Sequence, residues 1–261
     1  MTHTSPGSLR IETDGTPSSD PETLAALMSG YGHFTALQVR DGRARGLGLH
    51  LARLDRSTRE LFGPGLDADY VRTLVTGALE RAGRRDAAVR VYVHEGIRTT
   101  VTVREPFTPD PTPQSLMSVG YQRPAAHIKH LGGFGQRLHG DAARRAGFDD
   151  ALLTAPDGEI AEAAYANIAF WDGTSVIRPS APCLPGITMA LLEPALGSVQ
   201  RRVTRADLPG FRAAFLTSAR SVTPVRRIDD LAFEVDEGLM RRVRAAYESV
   251  PREALRAGPG G

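Results

Sequence analysis

Lysine is almost missing from this sequence. Lys129 is the only one in 261 residues, which leaves 31 arginines among the 32 Lys and Arg residues. Cysteine is equally sparse: Cys183 stands alone, so an internal disulfide is impossible and an oxidising compartment gains no support. No apolar run approaches the ~20 residues that span a bilayer. The opening MTHTSPGSLRIETDG has no apolar core of a signal peptide. Net charge is only +2, and clusters such as 201-RRVTR-205 and 240-MRRVR-244 carry no interleaved aromatics, which argues against a nucleic-acid or membrane surface. No internal repeat and no metal-ligand cluster is seen. These absences predict a cytoplasmic protein that acts on small molecules.

What is present reads as an ordinary globular balance, 41% hydrophobic and 24% charged, long enough for one large or two modest domains. Residues 33-HFTALQVRDG-42 alternate into an Asp-Gly turn, as a strand does. Apolar spacing predicts helices over His50–Phe62 and about 68–83, and 88-AVRVYVHEGIRTTVTVRE-105 predicts a hairpin. Four prolines in 106-PFTPDPTPQ-114 predict an extended linker. Beyond it, strands are expected near 116–122, 149–154, 166–171, 174–178, 211–217 and 221–228. Helices are expected near 134–146, after 184-LPGIT, and over 236–249, with the tail REALRAGPGG frayed. The expected domains are 1–106 and 116–261, joined by 107–115.

The lone lysine focuses the chemistry. Arginine replaces lysine as a solvated charge but keeps its proton, whereas a desolvated amine can condense with a carbonyl. Ile128 and Leu131 flank Lys129 with apolar groups, and glycines 132, 133 and 135 allow close approach of a ligand. In 159-EIAEAAYANIAFWDG-173, Glu162 sits among alanines, and a buried carboxylate needs a partner: a structural salt bridge or a cofactor's ring nitrogen. In 184-LPGITMALL-192 a helix start offers free N–H groups suited to phosphate, although an ordinary N-terminus reads the same way.

The succession IKHL, AGFDDALL, DGEIAEAAYANIAFWDG, LPGIT and TSARSVTPV resembles the fold-type IV pyridoxal-phosphate enzymes over about residues 31–230. That group holds branched-chain and D-amino-acid aminotransferases and 4-amino-4-deoxychorismate lyases. The resemblance implies a two-domain α/β (α+β) fold, with a smaller N-terminal α/β domain and a larger C-terminal one built on a mixed, barrel-like sheet. It implies pyridoxal 5′-phosphate as cofactor, a homodimer, and amino-acid and keto-acid substrates. Position by position, it makes Lys129 the Schiff-base lysine, Glu162 the carboxylate facing the ring nitrogen, and Arg53 a phosphate ligand. Ile187, Thr188, Thr217 and Ser218 join the phosphate site, Asn167 the cofactor site, and Tyr31, Phe134 and Ala219 the substrate pocket. Transamination is the expected activity. The alternatives are a lyase releasing pyruvate, which IKHL favours, and a non-catalytic cofactor-binding homologue. Departures fall on the pocket: the first block is short, and Phe134 stands where branched-chain enzymes carry tyrosine.

Overall fold

The computed structural model describes residues 10–17, 25 and 28–256, and the chain divides into two units. The first comprises the chain up to Thr108, Lys129–Gly132, and the residues from Pro251 on. Its strands are β1 (Arg10–Thr13), β2 (Thr16–Pro17), β3 (Gly32–Arg40), β4 (Arg43–Arg45), β5 (Ala87–His94) and β6 (Thr99–Arg104). A C-terminal strand, Arg252–Ala254, completes an antiparallel sheet in the order C-terminal strand, β4, β3, β5, β6, β1, β2. The unit also holds two helices, α1 (Leu47–Phe62) and α2 (Ala68–Arg81).

Strict alternation in β3 and β5 decides which face is covered. Leu37, Val39, Val89, Val91 and Val93 pack with Leu51, Leu54, Val71 and Val75 of the helices, each such burial contributing about 1.5–3 kcal/mol. Phe34, Arg90 and Tyr92 take the other parity and stay half-buried. Helix α2 begins where the Asp67 carboxylate accepts from the Asp69 and Tyr70 amides, a cap worth about 1 kcal/mol. Helix α1 starts at Leu47, three residues before the expected His50, because Leu47 belongs to the same buried stripe.

Two stretches join this unit against expectation. Arg252–Ala254, read from sequence as part of a frayed tail, pairs with β4, and Leu255 is buried in the helix-covered core. Residues 129–132 lie along the start of β3: the Phe34 amide donates to the Lys129 carbonyl and the Leu131 amide to the Gly32 carbonyl, both at 2.9 Å. Glycine is required at 32, where φ is +149° and a Cβ would meet the Val93 carbonyl at 2.6 Å. The proline-rich stretch is anchored at its start, since Gln38 accepts from the Phe107 amide and Arg40 donates to the Phe107 carbonyl.

The second unit, residues 109–128 and 133–250, is built on a nine-stranded mixed sheet that curls into a half-barrel. Its strands are β7 (Gln114–Gly120), β8 (Asp150–Thr154), β9 (Ile160–Ala163), β10 (Asn167–Trp171), β11 (Val176–Pro179), β12 (Val199–Arg201), β13 (Ala213–Thr217), β14 (Val222–Ile228) and β15 (Leu231–Ala232). The order is β12-β11-β10-β13-β14-β7-β8-β9, with β15 on β14. Strands β7 and β8 and strands β7 and β14 pair in parallel. Helices α3 (Phe134–Arg145), α4 (Ile187–Leu196) and α5 (Glu237–Ser249) complete it. Strands β10 and β13 are covered on both faces. Ile168, Phe170 and Leu216 join one cluster, while Ala169 and Phe215 pack with Met189, Leu192, Met240 and Val243 of α4 and α5. That double burial explains their continuous apolar runs. Strand β9 was not foreseen, because four residues, IAEA, are too short for periodicity to register. No described helix is long and apolar enough to cross a membrane.

Candidate active site

In the first unit, the buried side of α1 is only partly apolar. His50, Arg53 and Ser57 recur at helical spacing beside Leu47, Leu51 and Leu54, and all are buried. Arg53 Nη2 donates to Thr35 Oγ1 at 2.7 Å, and Thr35 Oγ1 lies 2.6 Å from His50 Nδ1. Arg53 Nε is buried without a hydrogen-bond partner. Burial, then the nearby Arg56, pulls the guanidinium down to about 10, still a cation at neutral pH. His50 is held neutral, down to about 3, by burial and then by the charges of Arg53 and Lys129. His33 follows at about 4 through burial, Arg53 and His94, and shares a 3.0 Å hydrogen bond with Thr58. Lys129 is half-buried, its ammonium nitrogen 4.9 Å from the centre of the Phe34 ring. Phe34 in turn stacks on Tyr92. Lysine, arginine and neutral histidines are thus gathered at the β3–α1 junction.

The second unit gathers the acceptor side. Glu162 lies in β9 and is buried. Arg123 Nη1 donates to Glu162 Oε1 at 2.9 Å, and the Leu184 amide donates to Oε2 at 3.3 Å. Arg123, buried as well, also donates to the carbonyls of Ala126 and of Ile128, the residue before Lys129. Asn167, at the start of β10, donates through Nδ2 to the Leu184 carbonyl at 2.8 Å. Glu162 and Asn167 therefore hold the same loop, residues 183–186, that leads into α4. Gly186 caps that helix, and a Cβ there would meet Asn167 Oδ1 at 1.8 Å.

Because its cap is a glycine, the first turn of α4 has no side-chain cap, which leaves amides of Ile187 and Thr188 for an anion. Thr188 Oγ1 spends its hydrogen on the Ser218 carbonyl at 2.8 Å. Ser218 Oγ accepts from the Arg220 and Ser221 amides and so keeps its own hydrogen to give. Thr217 Oγ1, in the preceding residue, is buried without a partner among the described residues. Ala219 is half-buried in the same turn. Of the expected pocket residues, Tyr31 is 54% exposed with its ring edge against Phe62, and Phe134 is 78% exposed at the start of α3.

These residues fit pyridoxal 5′-phosphate. In the first unit a buried arginine with an open donor suits a phosphate-like anion; in the second, a helix start with open amides suits one as well, and a fixed carboxylate suits a ring nitrogen. Sequence reasoning missed Arg123, one of 31 arginines, and the pair Thr35 and His50. Only the isolation of Arg123 from other charged residues in 121-YQRPAAHIK-129 hinted at a buried role.

Comparison with known proteins bears on the fold and the family. A fold IV-transaminase from Curtobacterium pusillum superposes with a TM-score of 0.74 at 25% identity, over 85% of this chain and 87% of that one. A hypothetical aminotransferase from Mycobacterium tuberculosis in its PLP-bound form gives 0.79 at 21% identity, over 92% and 98%. A provisionally assigned 4-amino-4-deoxychorismate lyase from Legionella pneumophila gives 0.78 at 20%, over 86% and 93%. No curated protein sequence matches. The model of the amino-transferase class IV family matches residues 32–228, most of both units, and the chain belongs to that family.

Proposed function

We propose that the chain is a pyridoxal-phosphate aminotransferase that moves an amino group between an amino acid and a 2-keto acid. The observation that carries this reading is the β3–α1 junction. There the sequence's one lysine is tied to β3 by its backbone, and Arg53 Nε is a buried donor with no partner among the described residues. The class IV family and the PLP-bound neighbour support the cofactor.

When bound, pyridoxal phosphate supplies an aldehyde that condenses with amines and a ring that takes up an electron pair. Arg53, Ser218 and the first amides of α4 would hold its phosphate. Glu162 would hold the proton on its ring nitrogen, with Arg123 and the Leu184 amide fixing the carboxylate. Lys129 Nζ would bind the aldehyde at rest. When not so engaged, that amine would be the base that holds and moves the substrate's α-proton. The reading includes a cytoplasmic location and a homodimer, the latter checked by light scattering on the purified chain.

The test is to reconstitute the protein with pyridoxal phosphate and offer it a panel of amino acids of both hands with a 2-keto acid acceptor. Keto-acid release that depends on the acceptor is expected. Pyruvate and 4-aminobenzoate formed from aminodeoxychorismate without any acceptor would overturn transamination in favour of elimination.

A further inference from the structure

An anion-gripping arginine is useful only if it waits in one place. We propose that Thr35 and His50 are positioning residues that fix the Arg53 guanidinium for the cofactor's phosphate, Thr35 as the hydrogen-bonded link and His50 as its neutral anchor. This rests on the pyridoxal-phosphate reading above and adds to it the device that aims the phosphate ligand.

A guanidinium only donates, so the 2.7 Å contact from Arg53 Nη2 uses an acceptor lobe of Thr35 Oγ1. The same oxygen lies 2.6 Å from its other neighbour, His50 Nδ1, and with one hydrogen and a second lone pair left it can bond either tautomer of the neutral ring. A second proton on His50 would place another cation beside Arg53. Burial, then the charges of Arg53 and Lys129, keeps His50 neutral at neutral pH.

The geometry also explains the choice of residues. His50 and Arg53 stand one turn apart on α1, and Thr35 points from β3 towards both, so one hydroxyl bridges strand and helix. No carboxylate pairs with Arg53 among the described residues. A carboxylate would hold the side chain as firmly, but it would also cancel the charge and occupy the fork that phosphate needs. A threonine–histidine pair orients the cation and leaves its charge intact. Arg53 Nε, buried and unpartnered, is the donor so presented.

The experiment compares binding of pyridoxal 5′-phosphate with binding of pyridoxal, which lacks the phosphate, to the apo full-length chain, followed by absorbance and by competition with inorganic phosphate. Thr35→Val is expected to raise Kd for pyridoxal phosphate by about tenfold to a hundredfold, the worth of a hydrogen bond to a charged group. Kd for pyridoxal should move less than about twofold, and inorganic phosphate should compete more weakly with the variant. Thr35→Ser, which restores the hydroxyl, should recover most of the loss. His50→Asn keeps a hydrogen-bonding group near Nδ1 and should behave as wild type, whereas His50→Leu should resemble Thr35→Val; this pair decides the matter if Thr35→Val does not fold. Equal weakening of both ligands in Thr35→Val, or no weakening of either, overturns the proposal. A wild-type chain that binds neither ligand overturns the cofactor reading itself, a result no variant can imitate.

Discussion

Replacing Arg123 tests whether the buried Glu162 carboxylate of the second unit is held by one buried cation. Arg123 and Glu162 side chains are 3% and 6% exposed and meet at 2.9 Å. Removing one partner of such a pair strands a charge in the interior, at about 3–5 kcal/mol. Arg123 also satisfies the Ala126 and Ile128 carbonyls, which adds about 1 kcal/mol each. Arg123→Met should therefore cost about 5 kcal/mol or more, comparable with the whole stability of a marginal domain. Glu162→Leu should cost about 3–5 kcal/mol by leaving the guanidinium unpaired. The double variant removes both charges and keeps only the carbonyl penalty of about 2 kcal/mol, so it should fall about 6 kcal/mol or more short of the sum. Urea unfolding of the full chain reads this out through Trp171, the only tryptophan, which lies in β10 of the same unit. Costs that add within about 0.5 kcal/mol would show that the two residues do not depend on each other, and the reasoning fails.

Three further outcomes follow from particular contacts. Lys129→Arg keeps the charge but not the nucleophile, so the protein should bind pyridoxal phosphate without the visible absorbance of a lysine adduct; an unchanged spectrum contradicts the assignment. Gly186→Ala drives a Cβ into Asn167 Oδ1, and should destabilise by about 1–3 kcal/mol in urea unfolding and weaken phosphate binding at α4; a neutral effect on both shows the loop can yield. The pH dependence has two opposed parts. Burial raises the Asp150 carboxyl to about 6, so the folded chain keeps a proton there that the unfolded chain loses near 3.8, and stability falls with rising pH across that window. His33 and His50, held down to about 4 and about 3, do the reverse: stability rises with pH until the unfolded histidines lose their protons near 6.5. Asp150→Asn should therefore steepen the rise of stability between pH 4 and 6.5, measured by urea unfolding across that range; an unchanged slope removes Asp150 from the account.

The sequence by itself determined a good deal. Helical spacing placed α2, α3 and α5 within one or two residues, and alternation placed β3 and the β5–β6 hairpin, because both signals are local and repeat every few residues. Composition singled out Lys129 before any fold was known, since a chain that writes its other 31 cations as arginine marks the one amine it keeps. What only the tertiary structure decided is non-local. Backbone pairing at Phe34 and Gly32 assigns residues 129–132 to the first unit, and pairing with β4 orders Arg252–Ala254. Burial turns Arg123 from one arginine among many into the holder of Glu162, and makes Thr35 and His50 more than strand and helix residues. A hydrogen bond between residues 15 or 39 apart leaves no period in the sequence; it exists only once packing has removed water and forced each polar group to find a partner.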